Sequence, residues 1–347
     1  MRIGITFNLK DEISPASVLN SEYIEEFDKT ETIDAICDVL QKNGYETVRL
    51  GSGIEIAEKI KKEKVNFVFN IAEGYGGRNR ESYVPSVLEM LDVPYSGSDP
   101  LTLGLTLDKI ETKKVAFHAG IPTPRYKVVR SMEDLPAVSR LRYPLITKPA
   151  WEGSSKGIYN SSRVCDQKAL AESARALLEK YPNQPVLVEE YIKGREVTAG
   201  VIGNNTPRVL GLMEIVNKSG PDEDFFYSLE VKKDWERLVD YISPPRINRL
   251  LDKRIRHYAL TAFKEFGCRD IARIDFRISR NGQIFLLEVN PLPGLSPEYA
   301  DLVIMSRKVG VDYEDLILSI LHSAFSRYGF VDRREINAKG GINYETI

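Results

Sequence analysis

Cysteine and histidine are both scarce, three of each in 347 residues. Cys37, Cys165 and Cys268 lie far apart, odd in number and without CxxC spacing. That argues against a disulfide framework or a zinc site and fits a reducing compartment. His118, His257 and His322 show no paired spacing and read as surface or core side chains, and no Ser-His-Asp arrangement can be traced. An excess of one charge is missing too: the formal net charge is -2, so no basic field would draw the chain to nucleic acid. No apolar run nears the ~18–20 residues that cross a bilayer, and the opening MRIGITFNLKDE becomes charged too soon for a secretory segment. Internal repeats and low-complexity tracts are also lacking. The expectation is a cytoplasmic chain with neither nucleic-acid nor membrane partners. At 347 residues, 42% hydrophobic and 28% charged, it has the balance of a globular protein of two or three packed domains.

The opening third alternates strand and helix. Ile3 to Phe7 reads as a buried strand, and Ile33, Ile36, Cys37 and Leu40 follow the i, i+3, i+4, i+7 spacing of an amphipathic helix that Gly44 ends. A strand at Glu46–Leu50, a helix near Ile54–Lys62 and a strand at Val65–Asn70 continue the pattern, which implies a parallel sheet covered by helices. This α/β domain is placed at residues 1–104. A central unit, 105–193, carries a helix about Thr106–Ala119, a strand ending at Lys148, a Gly/Ser loop, a helix Gln167–Lys180 and a strand Pro185–Tyr191. A C-terminal α+β unit, 194–331, holds strands Glu196–Ile202 and Arg208–Val216, an irregular charged stretch Asn217–Tyr241, a helix about Ile247–Phe266 and a hairpin over Ile271–Asn290. Residues 332–347 form a polar tail.

That hairpin is the most informative segment. Asn281-Gly282 between two apolar-rich runs signals a two-residue type I′ turn, which needs φ > 0 at both central positions. Such a turn pairs Arg280 with Gln283, sets Asp275 opposite Glu288 and Arg273 opposite Asn290, and puts these last four on one face. Ala272, Ile274 and Phe276, with Phe285, Leu287 and Val289, then point to a core. Facing carboxylates repel unless something offsets them. A hard cation would do so, and two carboxylates with an amide oxygen suit magnesium completed by phosphate and water. The alternative is that the acids face solvent and pair with Arg273 or Arg277.

Lys148 is followed by Pro149-Ala150-Trp151-Glu152-Gly153-Ser154-Ser155-Lys156-Gly157. Its glycines let backbone N–H groups converge on an anion, its serines add hydroxyls, and Lys148 adds a point charge. It lacks the GxxxxGK[ST] of a Walker A loop, and by itself it reads equally as an exposed hairpin. The strand running into Glu189-Glu190-Tyr191-Ile192 could present backbone groups to adenine and an acid to ribose, or simply end in solvent. Lys109, on the helix after the first linker, is on this pattern alone a solvated lysine.

In this order the segments PYSGSDPLTLGLTLDK, PLITKPAWEGSSKG, VLVEEYIKGREVT and ARIDF…FLLEVNPLPGLSP resemble the ATP-grasp fold, and specifically the D-alanine–D-alanine ligase family, over about Asn70 to Asp301. The resemblance implies an ATP- and magnesium-dependent ligase (manganese as the alternative ion) acting on small amino-acid or carboxylate substrates, and commonly a homodimer. Lys109 and Lys148 would contact ATP phosphates, Ser154 and Ser155 would belong to the phosphate-covering loop, and Lys232 to the mobile loop over ATP. Glu189, Glu190 and Ile192 would form the adenine hinge, and Glu196 would hold ribose. Asp275, Glu288 and Asn290 match the magnesium ligands. Arg273 and the Gly294 N–H match the oxyanion donors, and Ser154 is counted with these catalytic groups as well.

Departures gather on the substrate side. The family's N-terminal glycine-rich segment, with its ammonium-binding glutamate, is missing. In its place stand Asn8-Leu9-Lys10-Asp11-Glu12 and an acidic stretch with Glu22, Glu25, Glu26 and Asp28. Asn70-Ile71-Ala72-Glu73-Gly74 replaces a His-Gly segment, Lys233 a tyrosine and Tyr299 a serine. The expected activity is therefore D-alanine–D-alanine ligase-like carboxylate–amine ligation through an acyl phosphate, with altered amino-acid specificity and substrates that need not be D-alanine. A ligase for a larger natural-product or cell-wall precursor acid and a silent nucleotide-binding protein are the alternatives.

Overall fold

The computed structural model describes residues 1–10, 21–220 and 225–330; the tail at 332–347 lies outside them, as do Asp11 and Glu12. Strands β1 (Arg2–Thr6), β2 (Glu46–Gly51) and β3 (Phe67–Asn70) form a parallel sheet in the order β2-β1-β3. Helix α1 (Thr30–Lys42) buries Ile33, Ile36, Cys37 and Leu40 against one face, as their spacing predicts. Helices α2 (Ile56–Glu63) and α3 (Tyr83–Met90) pack with Leu50 and Val68 on the other.

The pattern predicts one helix over Thr106–Ala119, but the chain forms α4 (Pro100–Leu107) and α5 (Lys109–His118), broken at Asp108. The boundary placed after residue 104 thus falls inside α4. Asp99 caps α4, and Asp108 accepts from the N–H groups of Ile110 and Glu111 to start α5, satisfying first-turn donors that have no intrahelical partner. Lys109 N–H donates to the Ala150 carbonyl at 3.0 Å, which locks the start of α5 to the Gly/Ser loop.

Strands β4 (Tyr126–Val129), β5 (Leu145–Pro149), β6 (Arg163–Val164) and β7 (Val186–Glu190) make an antiparallel sheet in the order β4-β7-β5-β6, backed by α6 (Gln167–Lys180). Next come β8 (Gly194–Ile202), β9 (Arg208–Asn217), α7 (Leu229–Lys233), α8 (Trp235–Leu238), β10 (Val239–Ile242) and α9 (Arg249–Glu265). The stretch expected to be irregular therefore holds two short helices and an edge strand. With β11 (Ile271–Ser279) and β12 (Ile284–Asn290), these strands form a second antiparallel sheet, order β10-β9-β8-β11-β12. Helices α10 (Asp301–Lys308) and α11 (Tyr313–Tyr328) return to the first unit, where Leu316, Ile320 and Phe325 complete the core around Ile3, Ile5 and Phe67. No helix among the described residues is long and apolar enough to cross a membrane.

Candidate active site

The β11–β12 hairpin reaches the expected pairing by an unexpected route. Three residues, not two, make the turn: Gly282 N–H donates to the Ser279 carbonyl, Gly282 sits at φ 77°, and Ile278 pairs with Ile284. That alone would shift the register by one residue. A bulge at Leu287 shifts it back, so Asp275 faces Glu288 and Arg273 faces Asn290. The bulge also changes which side chains are inward. Ile284, Leu286 and Val289 are buried, whereas Phe285 and Leu287, expected in the core, are not, and Leu287 lines a cavity instead.

The repulsion between the facing acids is already offset by the protein. Asp275 accepts from Arg273 at 2.9 and 3.0 Å, from the Thr198 hydroxyl at 2.6 Å and from Asn290 Nδ2 at 3.0 Å. Glu288 pairs with Lys109 at 2.9 Å. Burial alone would raise the Glu288 carboxyl, but Lys109 and Lys148 hold it at about 2. A cation is thus not required merely to let these acids coexist.

Two cavities meet here. One, of about 110 Å³, lies between the two antiparallel sheets, with Ile146, Ile158, Phe226 and Leu287 as apolar walls and Lys148, Ser155, Glu189, Glu190, Ile192, Glu196 and Asp275 at its polar edge. The other, of about 130 Å³, reaches the N-terminal unit and is lined by Lys109, Asn290 and Gly294. Ser154, Lys232, Arg273, Glu288 and Asp301 line both.

Within the first cavity, several side chains expected to meet the nucleotide are engaged within the protein. The Glu189 carboxylate is held between Lys113 and Lys148, the latter at 2.6 Å, so only the backbone of that strand end is left for a base. Burial would raise Glu189, but the two lysines keep it below the usual carboxylate range. Lys113 is fully buried, and burial, with Lys148 beside it, pulls its ammonium down to about 8. It was not singled out in the sequence, although it stands one helical turn from Lys109 on the same face. Glu190 accepts from the Arg142 N–H at 3.1 Å, the Ile192 carbonyl accepts from Arg277, and Glu196 accepts from Arg277 Nη1 at 3.0 Å.

The Gly/Ser loop is strongly bent, with Ser154 at φ 51°, Ser155 at φ 59° and Gly157 at φ 70°. A Cβ on Gly157 would lie 2.6 Å from Pro149 Cγ. Two of its donors are engaged within the protein rather than offered to an anion. Gly153 N–H donates to Glu26 at 2.8 Å, and the Ser155 hydroxyl donates to the Tyr227 carbonyl at 3.0 Å. The Leu229 N–H also bonds the Ile158 carbonyl at 2.8 Å, so the segment carrying Lys232 is fastened over the loop. Burial, with Arg273 adding to it, lowers the Lys232 ammonium. Lys233 pairs with Glu25 at 2.7 Å, at the edge of the other cavity.

Beneath the loop lies a buried ionic cluster that sequence reasoning missed. Arg80 and Lys156 hold Glu26 at 2.8 and 2.9 Å, and Lys156 also holds Glu152 at 2.6 Å, all four side chains at most 4% exposed. Burial would raise Glu26, but Arg80 and Lys156 bring it to about 2.

Asp275, Glu288 and Asn290 form an all-oxygen donor set, since Asn290 donates its nitrogen to Asp275 and keeps its carboxamide oxygen. No three His, Cys, Asp or Glu side chains among the described residues converge on one ion position. The set is therefore incomplete and fits a hard divalent ion whose remaining ligands are phosphate oxygens and water.

Known proteins place this geometry in context. Residues 115–322 match the family model for the D-ala D-ala ligase C-terminus. The chain is 38% identical over 301 residues to a D-alanine–D-alanine ligase of Carboxydothermus hydrogenoformans, covering 84% of this chain and 91% of that protein. It is 35% identical over 296 residues to one from Desulforudis audaxviator, covering 84% and 92%. The crystal structure of the Bacillus anthracis D-alanine–D-alanine ligase complexed with ATP superposes with a TM-score of 0.73 at 25% identity, covering 95% of this chain and 99% of that one.

Proposed function

This chain belongs to the D-alanine–D-alanine ligase family and is an ATP-dependent ligase forming C–N bonds, and we propose that its two cavities divide that reaction. ATP lies in the cavity between the sheets, with the acid and the amine in its neighbour. The observation that carries this reading is the shared wall: Ser154, Lys232, Arg273, Glu288 and Asp301 border both spaces, where a γ-phosphate would meet a carboxylate.

A carboxylate is inert to amines because oxide is its leaving group. Here a carboxylate oxygen attacks the γ-phosphorus, the bond to the bridging oxygen breaks, and ADP departs from an acyl phosphate. The amine's lone pair then adds to the carbonyl carbon, the bond to the phosphate oxygen breaks, and the departing phosphate takes the proton that the nitrogen gives up. Lys109, Lys148 and Lys232 offset phosphate charge, and Ser154 covers the transferring group. Asp275, Glu288 and Asn290 would hold magnesium or manganese, which when bound neutralises phosphate charge. Arg273 and the Gly294 N–H receive the oxyanion of the tetrahedral intermediate. Acyl phosphates hydrolyse, so the Tyr227–Asp234 segment fastened to Ser155 and Ile158 serves to exclude water.

ADP release, measured with ATP and pairwise mixtures of D- and L-amino acids, should require both an acid and an amine and yield their amide by mass spectrometry. Binding of ATP without turnover across the whole panel would reduce the chain to a silent nucleotide binder. Arg273→Ala should lower the ligation rate by about two to three decades, the usual loss for one oxyanion donor. An unchanged rate would remove Arg273 from the mechanism.

A further inference from the structure

The larger cavity has a charge pattern that ATP chemistry does not use. Seven carboxylates line it against three cations, Lys109, Lys232 and Arg273. Most of the acids are matched: Glu288 by Lys109, Glu26 by Arg80 and Lys156, Glu25 by Lys233, and Asp301 by Arg273 at 3.4 Å. Three are not. Glu73 and Glu81 have neither a hydrogen bond nor an ion pair among the described residues, although Arg80 attracts both at longer range, and Asp28 has the Thr32 hydroxyl and the more distant charge of Lys10. Glu81 is 8% exposed, so an unpartnered carboxylate more than nine-tenths buried lines this cavity. Such a group is costly unless a ligand satisfies it.

A metal ion does not account for the three acids, because no three such side chains converge on one position among the described residues. They call instead for positive charge spread along a molecule. One ammonium matches one of them; a second is needed to approach balance. Burial pushes Glu73 well above the usual range, with Glu81 and Glu26 adding to it, and burial pushes Glu81 to about 7 against the pull of Arg80. The same cavity is also lined by Arg273 and Lys232, which suit the carboxylate end of the same molecule.

Resting on the ligase reading above, we infer that the acid substrate is a basic amino acid bearing two ammonium groups, its carboxylate toward Arg273 and Lys232 and its ammonium groups among Asp28, Glu73 and Glu81. A neutral side chain in this place would strip water from buried acids and return nothing.

The test uses matched pairs, ornithine against norvaline and 2,4-diaminobutyrate against 2-aminobutyrate, in both stereochemical forms and with the full chain. With the acid donor identified by product mass, kcat/KM should favour the cationic member by about 10- to 100-fold, the scale of hydrogen bonds to charged groups. Glu73→Gln and Glu81→Gln should each reduce that preference at least about tenfold, through KM rather than kcat. Both changes are near-isosteric and relieve repulsion, and thermal melting checks that they fold. Equal use of norvaline, or a preference unchanged in both folded variants, overturns the inference. If no mixture releases ADP, the ligase reading fails on its own terms. Calorimetric titration of ornithine and norvaline into the chain with a non-hydrolysable ATP analogue then decides: tighter ornithine binding that weakens in Glu81→Gln supports the inference, and equal binding ends it.

Discussion

Glu288→Ala is expected to abolish ATP turnover while the chain still folds. Glu288 borders both cavities, faces Asp275 across the hairpin and is the only one of the three oxygen donors paired with a lysine, Lys109. Its loss removes one of two carboxylates from an already incomplete ligand set and leaves Lys109 without its counter-ion. Charge stabilisation by a bound ion is worth several kcal/mol, so a loss of about three decades or more should follow. The side chain is 25% exposed and outside the apolar core, so circular dichroism should be unchanged. Glu288→Gln keeps the shape without the charge and should shift turnover to higher magnesium concentrations. Normal ligation by the alanine variant would refute the metal assignment.

The second large effect is on stability. Arg80→Ala should destabilise the fold by about 3–5 kcal/mol in chemical denaturation, the cost of removing one member of a buried ion pair. Arg80 holds Glu26 through two nitrogens and also donates to the Trp151 carbonyl at 2.8 Å. Without it, Glu26 has Lys156 and the Gly153 N–H, and Lys156 is shared with Glu152. Arg80→Lys should recover only part of the loss, because an ammonium cannot reproduce the fork to Glu26. A melting curve identical to wild type would show that the cluster carries no net stability.

Why the sequence shows one half of the site and hides the other follows from where the partners lie. The groups proposed to meet the nucleotide sit in short segments, each with its own strand end, turn or glycine loop, so local chemistry singles them out. The Asp108 break was also legible: an aspartate followed three residues later by Glu111 is a helix-start pattern that outweighs a continuous apolar run. The Glu26 cluster was not, since its contacts cross 54 positions to Arg80 and 127 to Gly153. Glu81 is equally silent, because burial without a partner is a property of packing and not of neighbours in the chain. The hairpin is the instructive case. A two-residue turn was expected, a three-residue turn formed, and the bulge at Leu287 cancelled the difference, so the right acids meet while Phe285 and Leu287 leave the core.

The joining of α11 to β1 and β3 bears on how the chain comes together. The face of β1 that α1 covers is completed only when α11 has been synthesised, and every other described strand lies between β1 and α11 in the chain. Contacts so distant along the chain make loop closure slow and leave intermediates with greasy surface exposed. The N-terminal sheet is therefore a poor candidate for an autonomous folding unit. Deleting α11 would bare part of this core and make it a site of aggregation before any ATP is bound.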